Sequence, residues 1–350
     1  MTHDSLTCVV PTHNRPHFLR RLLHFYSQFP PGFPFLVMDS SHPAAAAENR
    51  AVIESVRESI DVDYQHSDKN VTDKCTQGLE QVRSPFVVFC ADDDCLFSDT
   101  VWRCVEFLKN EPGYATVMGR TAQVNPRLPR WCCRVLKGYS IEHDHPFDRC
   151  QKLAENWFTN FYAVYRTTTM LDIFHITTAN TNASLNYHLP EMLFSQLSVL
   201  RGRVKVLPQM YSLLEKHDSN AGAAMRTGIR PQAESMYQRF KECLADQLVQ
   251  TGADRLEAEQ FIDREYGYFR ETNLAIRRRP RSTVEVISHL LSGFREKTAG
   301  LWNADFNRHR RFVRASDLVG CEQVWHAAVQ LMRDFPQGIP SNYSTLDRCA

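Results

Sequence analysis

Hydrophobic and polar positions alternate in blocks along the first 120 residues. Short apolar runs, rich in β-branched and aromatic residues, predict strands, and each run is followed by a polar cluster and then by apolar residues at helical spacing. Helices are predicted between the strands, near residues 16–26, 44–59, 72–82 and 98–108. The predicted strands are Leu6–Val10, Phe35–Met38, Ile60–Tyr64, Phe86–Cys90 and Tyr114–Met118. This alternation predicts an α/β fold with a mostly parallel sheet covered by helices on both faces.

The pattern changes twice further along the chain. Residues 125–157 are irregular and rich in Arg, Pro, Trp and His, which predicts a binding loop or flap. A helix through Met192–Leu200 and a strand at Val204–Leu207 follow, and from Ala233 onward the pattern is that of amphipathic helices without strand signals. We therefore predict two domains, an α/β domain of residues 1–220 and a helical domain of residues 221–350.

The most distinctive polar cluster is Asp92-Asp93-Asp94, which follows the strand Phe86–Cys90 directly. Ionised carboxylates repel one another and cannot be buried without a compensating partner. Clustered hard oxygen donors suit Mg²⁺ or Mn²⁺, which typically bridges to phosphates. The alternative interpretation of the triplet is a solvated acidic turn before the next helix. Ser98 or Asp99 is the residue predicted to cap that helix.

Composition and the absence of other motifs narrow the function. A net charge of +1 excludes a strong global attraction to nucleic acid or to acidic membranes. The first predicted strand is not followed by GxGxxG or GxxxxGK[ST], which disfavours a dinucleotide-binding domain and a P-loop NTPase. The sequence shows no signal peptide and no long apolar run, and its 11 cysteines form no paired framework. We expect reduced thiols and a cytoplasmic location.

Four segments, in this order, resemble the nucleotide-sugar-binding half of GT-A-fold glycosyltransferases, specifically family-2-like bacterial enzymes. They are Val9–Arg15, Val37–Ser41, Phe89–Asp94 and Leu189–Met192, the last followed by Gly202 and Lys205. The resemblance covers residues 6–217 and implies a Rossmann-like GT-A domain with a helical C-terminal domain. It implies transfer of a sugar from a nucleoside diphosphate sugar to a hydroxyl of a glycan or lipid-linked acceptor. A UDP-sugar is the favoured donor, and inversion at the anomeric carbon is the favoured stereochemistry. Bacterial surface-polysaccharide or glycoconjugate synthesis is the implied pathway.

The resemblance also implies a divalent metal site. Asp92 and Asp94 match the family's DxD pair, with Asp93 between them. The first carboxylate would face the ribose or a metal-bound water, and the last would bind Mn²⁺ or Mg²⁺ directly. His217 is a candidate metal ligand, with polar surface as the alternative. Ala91 stands where the family often has a carboxylate. Which of the three aspartates binds the metal and which faces the ribose therefore stays open.

The same comparison implies a nucleotide pocket. In it, Asp39 would accept a hydrogen bond from a uracil-type base, and Arg15 would face the base or the diphosphate. Each assignment has a plainer alternative. Asp39 would close a turn or cap a helix, Arg15 would be a solvated loop residue, and Lys74 would be a surface lysine of a helix. The implied pocket residues are Pro11, Thr12, Arg15, Asp39, Asp68, Lys74, Asp92 and Asp93.

Glu191 is the candidate general base. An inverting transferase must take a proton from the acceptor hydroxyl as that oxygen attacks the anomeric carbon. Glu191 follows Pro190 at a predicted helix start, where the family has an acidic residue, although the family's usual acidic pair is reduced here to one residue. The alternative is a favourable negative charge in the first turn of a helix.

The remaining signals are open to plainer interpretations. His143 and His145 lack the spacing of a metal site and are predicted to be loop residues. The aromatic residues Trp131, Trp157, Phe158, Phe161 and Tyr162 are predicted to be mostly core, with a sugar-stacking surface as the alternative. The basic runs at residues 277–281 and 308–311 indicate solvated surface or peripheral contact with an anionic membrane. Nucleic acid binding is not expected, and homo-oligomer formation stays open.

Two rival functions remain. A sugar nucleotidyltransferase would normally carry a glycine-rich phosphate loop after the first strand, and residues 11–15 contain no glycine. A catalytically inert GT-A-like nucleotide-binding module is disfavoured by the presence of Asp92, Asp94 and Glu191. Ala91 and the missing acidic partner of Glu191 keep this second alternative open.

Overall fold

The computed structural model describes residues 5–126, 133–136, 138–182, 188–217, 233–270 and 311–340. Ten strands in these ranges form one sheet. They are β1 (Leu6–Thr12), β2 (Phe35–Asp39), β3 (Val62–His66), β4 (Phe86–Phe89), β5 (Cys95–Leu96), β6 (Tyr114–Val124), β7 (Arg134–Val135), β8 (Val164–Arg166), β9 (Arg203–Glu215) and β10 (Arg311–Phe312). The α-helices of the same ranges are α1 (Pro16–Gln28), α2 (Pro43–Val56), α3 (Val71–Leu79), α4 (Ser98–Asn110), α5 (Pro146–Glu155), α6 (Thr167–Asn180), α7 (His188–Arg201), α8 (Ala233–Gln250), α9 (Arg255–Tyr266) and α10 (Glu322–Asp334).

The sheet is parallel among its first four strands and mixed among the later ones. Its order is β10-β7-β6-β8-β4-β1-β2-β3, and β9 pairs with both β6 and β5. The strands β3, β2, β1 and β4 run parallel, whereas β8 is antiparallel to its neighbours β4 and β6. The register places Thr12 opposite Asp39, and Asp39 opposite His66. The last residues of β1, β2 and β3 therefore lie side by side at one edge.

The order of the strands creates a crevice at that edge. The chain runs from β1 outward to β2 and β3, and then returns to β4 on the opposite side of β1. Ligands of open α/β sheets bind outside the carboxyl ends of the strands where the strand order reverses in this way. The loops after β1 and β4 flank this point, and they contain Arg15 and the Asp92–Asp94 triplet.

The hydrophobic pattern correctly predicted the α/β half. The apolar residues of α1 that recur at helical spacing are buried, among them Phe18, Leu19, Leu22 and Leu23. The strand β4 is buried along its whole length, as expected for a strand covered on both faces. The predicted strands and helices of residues 6–118 are all present, with ends that differ by a few residues.

Two predictions about local structure were wrong. The residue at the N-terminal cap of α4 is Phe97, with no side-chain hydrogen bond, so neither Ser98 nor Asp99 caps the helix. Both lie in its first turn, where the charge of Asp99 still suits the helix dipole. The stretch 125–157, predicted to be irregular, contains β7 and the ten-residue helix α5. Pro146 begins α5, and proline suits the first turn of a helix.

The helices beyond residue 233 pack against the α/β part. Phe261 of α9 lies edge-on to Phe147 of α5, with ring centroids 5.4 Å apart. The ring of Trp325 of α10 is tilted by 42° against the ring of Phe97, with centroids 5.8 Å apart. The division into domains at residues 220 and 221 falls outside the described residues, as do both basic runs apart from Arg311.

Two further expectations concern the described ranges as a whole. None of their helices combines the length and the apolar content that a membrane crossing requires. Their nine cysteines are buried free thiols, as predicted.

Candidate active site

An arginine from the loop after β1 meets two carboxylates from the loop after β4. The Arg15 Nη2 atom lies 3.0 Å from Asp92 Oδ1 and 2.6 Å from Asp93 Oδ2. The hydroxyl of Thr12, the last residue of β1, donates to Asp92 Oδ2 at 2.7 Å. These contacts join the two sides of the crevice. The residues involved were all predicted members of the nucleotide pocket or the metal site.

The rest of the triplet is bound by the end of β9. The His217 Nε2 atom lies 2.6 Å from Asp93 Oδ2, and the backbone N–H of Glu215 donates to Asp94 Oδ1 at 3.0 Å. The three aspartates are 3%, 6% and 8% exposed in chain order. A solvated acidic turn is therefore wrong for this segment. The triplet is a buried charge cluster in which Asp92 and Asp93 share Arg15, Asp93 also contacts His217, and Asp94 accepts a backbone hydrogen bond.

Burial and these partners set the protonation of the triplet. Burial raises the pKa of Asp92 to about 6, against the opposing effect of the Arg15 charge. Burial acts on Asp93 in the same direction, but the hydrogen bond to His217 and the contact with Arg15 outweigh it and lower the pKa of Asp93 to about 2. Burial and the neighbouring Asp93 charge raise the pKa of Asp94. The negative charge of the cluster therefore depends on His217 and Arg15 together.

The triplet and His217 fit a divalent ion by donor type but not by their present arrangement. Carboxylate oxygens and an imidazole nitrogen are ligands that Mn²⁺ accepts. Within the described ranges, however, no three His, Cys, Asp or Glu side chains are arranged to hold a metal ion. Arg15 takes the position of the counter-charge between Asp92 and Asp93. An ion binding there would compete with this guanidinium.

Phe18 supports the cations and the imidazole of this cluster. The guanidinium carbon of Arg15 lies 4.5 Å from the Phe18 ring centroid, and that of Arg21 lies 5.1 Å from it. The His217 ring stacks on the same phenyl ring, with centroids 4.9 Å apart. Phe18 is buried in the first turn of α1. The position of α1 therefore bears directly on the geometry of the site.

Asp39 lies in a closed hydrogen-bond network one strand away. Its Oδ1 accepts the backbone N–H of Ser41 at 2.7 Å, and its Oδ2 accepts the side chains of Asn49 and Tyr64, each at 2.8 Å. Burial raises its pKa, but these hydrogen bonds outweigh that effect and lower it. The carboxylate thus closes the turn after β2, as the plainer interpretation held. Contact with a nucleobase stays a prediction.

Three other predicted pocket residues differ in how close they come to the triplet, namely Lys74, Pro11 and Asp68. Lys74 is buried, and its Nζ donates to the Thr12 carbonyl at 2.5 Å and to Ser40 Oγ at 2.8 Å. It fixes the loop after β1 to the loop after β2, and the alternative of a surface lysine is wrong. Pro11 is half-buried within β1. Asp68 is exposed, 4.0 Å from the His66 ring, and the structure does not bring it to the triplet.

Glu191 has a different environment from the triplet. It lies in the first turn of α7 and is partly buried. Burial raises its pKa to about 7, and a hydrogen bond with Thr159 counteracts this only in part. Among the described contacts, no cation pairs with this carboxylate. A carboxyl group with a pKa near the working pH can accept a proton and return it.

An aromatic cluster connects the helix of Glu191 to the strand of the triplet. Phe194, one turn beyond Glu191, lies 5.1 Å from Phe161, and Phe161 lies 5.2 Å from Phe89 at the end of β4. Trp157, Phe158 and Tyr162 also pack on the core, which confirms the prediction for the described aromatic residues. Trp131 lies outside them. His143 and His145 are exposed loop residues, as predicted.

Two charged residues of the site escaped the sequence analysis. Arg21 of α1 and Glu215 of β9 form a buried ion pair beneath the triplet. In the sequence, Arg21 stands beside Arg20 on an amphipathic helix, a pattern typical of solvated surface. Glu215 could have been recognised, because Glu215-Lys216-His217 is a polar cluster at the end of a strand, as the triplet is. The Arg21 partner at that strand end could not be read from the sequence.

Comparisons with known proteins agree with this architecture. The profile described as glycosyl transferase family 2 matches residues 7–166, which run from β1 to the end of β8. A crystal structure of residues 1–349 of S. aureus TarS in complex with UDP-GlcNAc superimposes with a TM-score of 0.54 at 18% identity, covering 75% of this chain and 71% of that one. The same fragment in complex with UDP gives 0.52 at 17%, covering 75% and 70%.

A longer TarS structure gives a TM-score of 0.52 at 16% identity and covers 75% of this chain. The match spans only 42% of that longer TarS chain. A search of curated protein sequences found no match.

The mixed sheet, the crevice between β1 and β4 and the likeness to the TarS fragment define a domain of the GT-A fold. More narrowly, residues 7–166 of the chain are similar to the glycosyl transferase family 2 profile. Glu191, Glu215 and His217 all lie beyond the matched residues. Their part in the site rests on the structure of this chain alone.

Proposed function

We propose that the protein transfers a sugar from a nucleoside diphosphate sugar to a hydroxyl acceptor. The observation that carries this proposal is the contact of Arg15 with Asp92 and Asp93 across the crevice. Arg15 Nε is buried and has no hydrogen-bond partner among the described atoms. A guanidinium with an unused donor beside a carboxylate cluster suits a diphosphate, alone or with a bound cation. Since the TarS fragment was crystallised with UDP-GlcNAc, a UDP-sugar is the first donor to test.

We propose Mn²⁺ or Mg²⁺ as the cofactor, held by Asp92, Asp94 and His217. When bound, such an ion supplies Lewis-acid stabilisation of the departing diphosphate. Asp93 keeps its charge in the absence of the ion because Arg15 and His217 pair with it. Arg15, once released from the triplet, is the residue that faces the diphosphate. Thr12 and Pro11 line the ribose side of the pocket in this proposal, with Asp39, Lys74 and Asp68 toward the base.

Glu191 is the proposed general base of an inverting reaction. Its carboxylate takes the proton of the acceptor hydroxyl while that oxygen forms a bond to the anomeric carbon. The bond from the anomeric carbon to the diphosphate oxygen breaks on the opposite face, and the electron pair leaves with the diphosphate. The raised pKa of Glu191 supports this assignment. We propose a glycan or lipid-linked acceptor at the cytoplasmic face of the membrane, in surface-polysaccharide synthesis.

The test is nucleotide binding followed by donor hydrolysis. Melting temperature is measured with UDP, GDP and CDP, each with and without Mn²⁺, and hydrolysis is screened with the corresponding nucleotide sugars, since water replaces an unknown acceptor. We expect one nucleotide to raise the melting temperature in a metal-dependent manner, and its sugar conjugate to be hydrolysed. Asp94→Asn should abolish the metal-dependent shift, whereas Asp63→Asn, at an exposed carboxylate of β3, should keep it.

The proposal fails if no nucleotide shifts the melting temperature of the wild-type protein. Binding without metal dependence would remove the cofactor while keeping the nucleotide site. A metal-dependent shift without hydrolysis or transfer for any matching sugar would favour the inert binding module.

A further inference from the structure

The residue that ties the carboxylate triplet to the rest of the molecule is Arg21. This side chain of α1 is 3% exposed. Its guanidinium donates to the Asp93 carbonyl at 2.8 Å and to the Phe335 carbonyl at 2.8 Å, and it pairs with the Glu215 carboxylate. One buried cation therefore joins the loop after β4, the end of β9 and a segment that lies more than 300 residues away in sequence.

These contacts reach the triplet by two routes. Arg21 binds the backbone of Asp93 itself, and the N–H of its partner Glu215 donates to Asp94 Oδ1 at 3.0 Å. Breaking one partner of a buried ion pair leaves a charge without compensation, which is strongly destabilising. The positions of Asp93 and Asp94 thus depend on where α1 holds Arg21.

The segment Phe335–Ile339 holds the start of α1 from the outside. The Ile339 N–H donates to the His17 carbonyl at 2.9 Å, and Arg20 Nη1 donates to the Ile339 carbonyl at 3.0 Å. Ile339 is fully buried. The contact involves the first turn of α1, next to Phe18, on which Arg15 and His217 rest.

Gly338 makes this close approach achievable. Its φ is +77°, and an added Cβ would overlap the His17 carbonyl group and lie 2.7 Å from Phe18 N. Gly320, in the turn before α10, has the same left-handed backbone at φ +84°, and no described atom lies within 4 Å of its would-be Cβ. Alanine at either position carries the same kind of backbone cost, because both backbones are left-handed. Only alanine at 338 also forces the segment away from α1.

We infer that segment 335–339 is a positioning element of the donor site. It holds the first turn of α1, and through Arg21 it holds the triplet in place for the nucleotide. The segment lies outside the residues that match the family profile. The expected effect on nucleotide affinity rests on the proposed function. The expected effect on the packing of α1 and of the triplet does not.

The experiment compares Gly338→Ala with Gly320→Ala in the full chain. Amide hydrogen exchange is measured for residues 17–22 and 90–95, and the dissociation constant of UDP with Mn²⁺ is measured well below the melting temperature. We expect Gly338→Ala to speed exchange in both segments and to weaken UDP about tenfold, a loss equivalent to about 1.4 kcal/mol. Gly320→Ala should lose only the stability that the left-handed backbone costs, and it should keep wild-type exchange in these segments and wild-type affinity.

Equal effects of the two substitutions on exchange or on affinity would overturn the inference, as would faster exchange with unchanged affinity. If wild-type protein binds no nucleotide, the proposed function fails, and exchange alone decides whether 335–339 holds the triplet. If Gly338→Ala does not fold, Arg20→Gln takes its place, because it removes only side-chain contacts such as the bond to the Ile339 carbonyl. Its matched control is Arg103→Gln at an exposed position of α4.

Discussion

Carboxylates occur in two contrasting environments in this molecule, at the end of β4 and at the start of α7. Asp92 and Asp93 share the Arg15 guanidinium, and His217 adds a second partner to Asp93. Glu191 has Thr159 as its hydrogen-bond partner and no cation among the described contacts. Burial raises the pKa of Asp92, Asp94 and Glu191 alike, whereas the partners of Asp93, His217 and Arg15, lower its pKa to about 2. The clearest difference between the two regions is therefore between Asp93, which has positive partners, and Glu191, which has none among the described contacts.

The two environments suit two different tasks of a carboxylate, which are binding a cation and accepting a proton. A carboxylate that must bind a cation or shape a diphosphate pocket works when its charge is fixed, and nearby positive groups fix it. A carboxylate that must accept a proton works when its pKa lies close to the ambient pH. On this argument we propose that the triplet, through the fixed charge of Asp93, serves donor binding and that Glu191 serves the chemical step. The following predictions test that separation.

The largest expected effect is the loss of transfer in Glu191→Gln. The amide keeps the size and the hydrogen-bonding capacity of the side chain but cannot accept a proton, so transfer should fall by about 10²–10⁴-fold. Nucleotide binding should be unchanged, because the triplet is intact. The measurements are transfer or donor hydrolysis together with calorimetric nucleotide affinity.

The matched control is Glu106→Gln, the same substitution at an exposed position of α4. It should leave both quantities at wild-type values. Full transfer by Glu191→Gln would remove Glu191 as the base, and a parallel loss of nucleotide affinity would break the separation between the two regions.

The next effect concerns pH. Burial raises the pKa of Glu191 to about 7, so the ionised base is a minor species below that pH. We expect kcat/KM to rise about tenfold per pH unit between pH 5 and 6 and to level off above about pH 7. Nucleotide affinity measured over the same range separates this effect from titration elsewhere. A flat profile over this range would show that Glu191 is not the titrating base.

The sequence predicted well which residues meet at the crevice, and it predicted poorly which contacts support them. The strand ends after β1 and β4 were visible because apolar runs give way to polar clusters, and Arg15 and Asp92–Asp94 lie in those clusters. Asp39 was located, but its partners Asn49 and Tyr64 lie on α2 and β3, and a sequence pattern does not show which side chains meet across elements.

Arg21 illustrates the same limit more sharply. A charged residue on an amphipathic helix is normally solvated, and burial here depends on Glu215 and on a carbonyl at residue 335. Periodicity reports which face of a helix is apolar. It does not report that a distant segment supplies the polar partners that make burial of a cation tolerable.

Arg15→Gln should alter the affinity for free Mn²⁺. Removing the guanidinium leaves Asp92 and Asp93 without their shared cation, so an added ion no longer competes with a tethered one. We expect Mn²⁺ to bind about tenfold more tightly in the absence of nucleotide, and UDP to bind less tightly without metal. Titration of Mn²⁺ by electron paramagnetic resonance measures the first effect.

Arg15→Lys should give an intermediate Mn²⁺ affinity, because it keeps the charge but loses the planar fork that spans two carboxylates. Arg103→Gln, at an exposed position of α4, should have no effect. An unchanged Mn²⁺ affinity in Arg15→Gln would show that the triplet does not bind the ion at the arginine's position.

The last expected effect is on stability, and it has the opposite sign to the loss of activity. The pKa of Glu191 rises from its usual 4.5 to about 7 on folding, so the folded state holds a proton more tightly than the unfolded state. Stability therefore falls as pH rises between these two values, and the cost is complete above about pH 7. Glu191→Gln removes that cost, by about 1–3 kcal/mol at pH 8, and changes little at pH 4.5. Urea unfolding at the two pH values measures the difference, with Glu106→Gln as the control. A Glu191→Gln variant that is less stable than wild type at pH 8 would place a stabilising cation beside this carboxylate, and the contrast with the triplet would then be lost.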